Sequence, residues 1–130
     1  MVPHRDEFSE TVGYRIEGPN KTAVFIPDIN KWEAWDQDIA ELVQSVDYAL
    51  LDATFYADGE LGSRDMSQIP HPFVSQSMEA FNHLKPEDKS KVWFIHFNHT
   101  NPLLNRRSAQ SEYVRSQGYN IATEGDRLPL

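Results

Sequence analysis

With 130 residues, 39% of them hydrophobic and 25% charged, the chain has enough material for one domain with a sizeable core and too little for two. A net charge of −8, with no basic run longer than Arg106-Arg107, argues against a nucleic-acid surface held by phosphate contacts and makes cations the natural small partners. The absence of cysteine removes disulfides and thiolate ligands, so any metal must be held by imidazoles and carboxylates.

Residues 1–7 contain no apolar core of a signal peptide and no stretch approaches the length of a membrane span, which predicts a cytoplasmic product. After this polar opening, Thr11 to Glu17 alternates like a half-buried strand. Gly18-Pro19-Asn20-Lys21 is a turn signal and Thr22-Ala23-Val24-Phe25-Ile26 a second strand, so a hairpin is the simplest connection. Pro27-Asp28 ends it. Asp28 thus stands at the mouth of an apolar strand, where a carboxylate either points into a cleft or caps the next turn.

Trp32 and Trp35 read as packing residues. Ile39, Leu42, Val43 and Val46 follow at the spacing of an amphipathic helix. Tyr48-Ala49-Leu50-Leu51 is a third strand that again ends in an acid, Asp52. From Tyr56 to Pro72 no period survives, but Ile69-Pro70-His71-Pro72 holds His71 between two prolines, in extended backbone, just before a helix. That helix carries Val74, Met78, Phe81 and Leu84, and Lys85-Pro86-Glu87-Asp88 is expected to break it.

The chain is organised around the next stretch, in which the apolar Val92-Trp93-Phe94-Ile95 runs into His96-Phe97-Asn98-His99-Thr100-Asn101-Pro102. This predicts a buried strand whose C-terminal end opens onto a polar loop, the usual place for a ligand site in an α/β sheet. His96, Asn98, His99 and Asn101 would offer ligand nitrogens and hydrogen-bonding groups for a substrate there. Ala109 to Gln117 reads as a helix stopped by Gly118, and Tyr119 to Thr123 as a last short strand. A hairpin followed by alternating helices and strands predicts an α/β fold with helices mainly on one face of a mixed sheet.

In this order, Val2-Pro3-His4-Arg5, Pro27-Asp28-Ile29, Leu51-Asp52-Ala53-Thr54-Phe55, Ile69-Pro70-His71-Pro72 and the His96 to Pro102 run resemble the second half of a metallo-β-lactamase-fold protein. The nearest branch is the pyrroloquinoline-quinone biosynthesis protein B family, with ribonuclease Z more distant. The resemblance implies half of an αββα sandwich over residues 1–130. It also implies a divalent metal, zinc first, with manganese or iron as alternatives, bound by His4, Asp28 and His96. Asp28 would be the carboxylate that bridges two ions about 3.5–4 Å apart. His71 and Asp52 would be a proton-transfer pair, and Asn98, His99 and Asn101 would meet a small-molecule substrate.

The His-x-His-x-Asp-His motif of the family's first half occurs nowhere in the sequence. The expectation is therefore an incomplete hydrolase-like protein, inactive on its own, that lacks the N-terminal half of the fold. A lone half would expose an apolar sheet face. That face suggests homo-oligomerisation, docking of the missing half, or a second role as a non-catalytic interaction module.

Overall fold

The computed structural model describes residues 1–5 and 9–130. Five strands form one mixed sheet in sequence order: β1 (Tyr14–Glu17), β2 (Thr22–Ile26), β3 (Tyr48–Asp52), β4 (Val92–Ile95) and β5 (Asn120–Ile121). The β1–β2 hairpin is antiparallel and closed by Gly18 N–H donating to Lys21 C=O at 2.9 Å, whereas β2 to β5 run parallel. Parallel neighbours need crossovers, and the helices α1 (Ile39–Gln44), α2 (Val74–Ala80), α3 (Pro86–Lys89) and α4 (Ala109–Ser116) supply them. Local chemistry sets their ends. Asp38 accepts from the amides of Ala40 and Glu41 at the start of α1, Ser108 accepts from Ser111 N–H at the start of α4, and Gly118 leaves α4 at φ 93°.

The register sorts the strand residues onto two faces. Val24, Ala49 and Val92 lie side by side, as do Ile26, Leu51 and Phe94, and all six are buried in one cluster with Val43 of α1, Val74 of α2 and Val114 of α4. The alternate positions Phe25, Leu50 and Trp93 point the other way and are only partly buried, and beside them Tyr14 and Ile16 of β1 are exposed. One face of the sheet is thus the core and the other is an open apolar surface, the expected one-sided α/β arrangement.

Two expectations change. The half-buried strand over Thr11 to Glu17 is a four-residue edge strand with every residue exposed, because its alternation faces the open side and not a helix layer. The helix after His71 stops at Ala80, so Phe81 and Leu84 lie beyond it, and the break at Lys85 to Asp88 also starts α3: Pro86 sits at its first position, where a missing N–H costs nothing, and Lys85 before it is extended. Among the described residues no helix is long and apolar enough to cross a membrane.

Candidate metal centre

The site lies where β2, β3 and β4 end and their loops meet. His4 arrives from outside the sheet: Val2 N–H donates to Thr11 C=O and Asn30 N–H to Pro3 C=O at 2.7 Å, which fixes the segment beside the loop after β2. That loop carries Asp28, and its Ile29 is fully buried. His4 Nε2 is 3.2 Å from Asp28 Oδ1, and His71 Nδ1 is 3.4 Å from the same oxygen. His4, Asp28 and His71 each offer a donor atom within 4.8 Å of the others, which makes them a group able to surround a cation.

Asp52, the last residue of β3, is completely buried and both its oxygens are fully used. Oδ2 accepts from His71 Nδ1 at 2.8 Å and Ile29 N–H at 3.2 Å, and Oδ1 accepts from Thr54 N–H at 2.8 Å and Thr54 Oγ1 at 2.6 Å. Burial alone would push its carboxyl up. The hydrogen bonds from His71 and Thr54, with the His96 imidazole close by, together outweigh burial and hold it down at about 2. Asp28 contrasts with it: Oδ1 is buried but receives no hydrogen bond among the described residues. A buried carboxylate oxygen without a donor is costly unless a cation sits nearby, so the donor set and the orphaned oxygen both fit a divalent metal.

His96 follows β4 at φ 62°, and among the described residues no other non-glycine has a positive φ. This sparsely populated conformation is held by Ala53 N–H to Ile95 C=O and Asn98 N–H to Thr54 C=O, each 2.9 Å. It turns the His96 ring back toward β3, with Nδ1 at 3.1 Å from Thr54 Oγ1 and 3.8 Å from Asp52 Oδ1. The Asp52 carboxylate beside it raises the imidazole pKa above the ordinary value. The rings of His4 and His96 flank that of His71, at 6.2 and 6.5 Å between centroids.

The structure therefore brings together His4, Asp28, Asp52, His71 and His96. The three polar residues expected to meet a substrate lie on the loop after His96. Asn101 is buried, donates to Ala53 C=O at 2.7 Å and Thr54 C=O at 3.3 Å, and accepts from Leu103 N–H, so its amide braces the loop that carries Thr54. Asn98 donates to Thr100 Oγ1, which in turn bonds Glu60, and His99 is exposed at the rim. Thr54 and Glu60 received no role from sequence. A threonine two residues after a strand-end acid is a usable signal for the first. Nothing local signals the second, which reaches across 40 residues. Beside His4 an open groove of about 590 Å³ runs past Pro3, Thr11, Trp35 and Asp36.

The fold and this edge-of-sheet cluster of imidazoles and carboxylates define a class, and the sequence matches it directly: residues 2–97 fit the family model for the beta-lactamase superfamily domain, and the chain belongs to that superfamily. Within it the chain is similar to coenzyme PQQ synthesis protein B. The protein of that name from Acinetobacter baumannii (strain ACICU) is 28% identical over 100 residues, covering 73% of this chain and 33% of that protein. The one from Cupriavidus necator is 26% identical over 134 residues, covering 98% of this chain and 43% of that protein. The crystal structure of Zn(2+)-bound PqqB from Methylobacterium extorquens superposes with a TM-score of 0.73 at 24% identity, over 92% of this chain and 41% of that one. The chain thus spans between a third and a half of the length of these proteins.

Proposed function

We propose that this chain supplies one side of a divalent-metal site of the metallo-β-lactamase kind, in a protein related in role to PQQ synthesis protein B and acting on a small molecule in the cytoplasm. His4, Asp28 and His96 are the ligands, Asp52 and His71 the proton-transfer pair, and zinc is the first metal to test because the solved relative is described as zinc-bound. The orphaned Asp28 Oδ1 carries this reading. His71 is near enough to ligate, but its Nδ1, the nitrogen 3.4 Å from Asp28, donates to Asp52 and has no lone pair for a metal, so only Nε2 is left to take a cation or exchange a proton, and this reading gives it the proton.

A bound ion of this type supplies Lewis acidity and activates water for ester or phosphodiester hydrolysis. The chain's own part is to hold the ligands, orient His71 through Asp52, and leave the groove beside His4 open to a substrate. Three protein ligands do not fill a coordination sphere, so further ligands come from water or from a segment bearing the His-x-His-x-Asp-His motif, the N-terminal half in this proposal. Cobalt(II) absorption on the chelated 130-residue chain tests it: bands of a low-symmetry nitrogen and oxygen site that disappear in His96→Ala are expected, and a featureless aquo-ion spectrum would contradict the ligand set.

A second reading rests on a different observation. The open sheet face, with Tyr14, Ile16, Phe25, Leu50 and Trp93, has the character of a docking surface for a second copy or for the missing half, in which case the chain works as an interaction module.

A further inference from the structure

We propose that Thr54 is a positioning residue that extends the reach of Asp52 to a second imidazole, so that one buried carboxylate fixes the tautomers of both His71 and His96 and leaves their Nε2 lone pairs free. The argument is proton bookkeeping. Both Asp52 oxygens already accept from backbone N–H groups that can only donate, Ile29 on Oδ2 and Thr54 on Oδ1, and Oδ2 lies 2.8 Å from His71 Nδ1, so the carboxylate is the acceptor there and that nitrogen carries the proton. Thr54 has a single hydroxyl proton and two lone pairs. At 2.6 Å from Asp52 Oδ1 the proton belongs to that bond, the charge-assisted one and the shorter of its contacts. Toward His96 Nδ1, 3.1 Å away, Oγ1 therefore has only lone pairs to offer, and the bond forms only if His96 also carries its proton on Nδ1.

The resulting chain runs His96 Nδ1–H to Thr54 Oγ1–H to Asp52 Oδ1, and His71 Nδ1–H to Asp52 Oδ2. Two features of the backbone serve it. The positive φ of His96 turns its ring toward Thr54, and Thr54 is held by its own N–H on Asp52 and by Asn98 N–H and Asn101 Nδ2 on its C=O. Histidine that presents Nε2 to a metal characteristically donates its other ring N–H to such a partner, which fixes the ring and raises the basicity of the ligand atom. The chemical class that this prepared nitrogen takes is a borderline divalent cation. That use rests on the metal site proposed above, whereas the tautomers do not.

The test is long-range 1H–15N correlation NMR of the 15N-labelled, chelated chain at a pH where the histidines are neutral. His71 and His96 should show the Nδ1-protonated pattern, and the exposed His83 and His99 the Nε2-protonated pattern of free imidazole. Thr54→Val should move His96 to the Nε2-protonated form and leave His71 unchanged, and Thr54→Ser should keep both as in the parent chain. Zinc affinity should fall by about 10- to 100-fold in Thr54→Val and recover in Thr54→Ser. An Nε2-protonated His96 in the parent chain, which is read even if Thr54→Val does not fold, overturns the proposal, as does a His96 tautomer indifferent to Thr54→Val. Correct tautomers in a chain that binds no zinc would leave this inference standing and refute the metal reading instead.

Discussion

Two carboxylates at the ends of neighbouring parallel strands have opposite surroundings. Asp52 closes β3, is fully buried and accepts four hydrogen bonds; Asp28, two residues beyond β2, is partly exposed and has one buried oxygen that accepts none. A satisfied buried carboxylate stabilises the fold and orients its donors, while an unsatisfied one costs stability and persists where another cation is to be bound. The difference separates the two jobs of the site: Asp52 positions, Asp28 ligates.

Substitution of the two acids probes this contrast with the largest expected effect. Asp52→Ala strands Ile29 N–H, Thr54 N–H and His71 Nδ1, and should lower the unfolding free energy in urea by about 3–5 kcal/mol. Asp28→Asn should change it by less than about 1 kcal/mol in the metal-free chain, since its buried Oδ1 accepts no hydrogen bond and the side chain is partly exposed. Equal losses would erase the distinction.

The histidines extend the contrast. His96→Ala should weaken zinc binding by about 100-fold, and His71→Ala by less than about 10-fold, as competition with a chromophoric chelator would measure. If His71→Ala abolished binding, His71 would be a ligand through Nε2 and its assignment as the proton carrier would fall. In a protein that carries the remaining ligands and turns over a substrate, the same His71→Ala should lower turnover by on the order of 100-fold while metal content holds.

The acid limb is smaller. The Asp52 carboxyl is held at about 2, below its ordinary 3.8, so it contributes stability that is complete above the ordinary value and is lost as pH falls through about 2; the difference corresponds to about 2 kcal/mol. His96 has the opposite sign: its raised pKa contributes below the ordinary imidazole value and fades as pH rises, weakly because the ring is half-exposed. Carboxyl 13C NMR should place the Asp52 midpoint near 2, and a midpoint above 4 would mean that the hydrogen-bonded hub does not form.

The weakest effect belongs to the open sheet face. Its apolar residues should drive concentration-dependent self-association in sedimentation, and Tyr14→Glu with Ile16→Glu, both on exposed positions, should reduce it without loss of fold. A monomer at every concentration would remove the docking reading and leave the metal site untouched.

Much of this was legible in the sequence because the signals are local. The turn at Gly18 to Lys21, the apolar strands that end in Asp28, Asp52 and His96, and the proline-braced His71 each announce themselves within a few residues. The one-sided sheet followed from the order of elements. What escaped depends on contacts far apart in sequence: the exposure of β1 is set by which face the helices cover, and the braced position of Asn101 by a bond to Ala53. The backbone turn at His96, which decides what its ring meets, has only the weak signal that histidine tolerates a positive φ better than most residues.

Calorimetric titration of the chelated chain with zinc, run beside Asp28→Asn, tests the division of labour between the two acids most directly. The account predicts one ion bound per chain, and a loss of affinity of about 100-fold or more in Asp28→Asn with the fold intact. Absence of zinc binding by the parent chain, or equal affinity in the two, would contradict it.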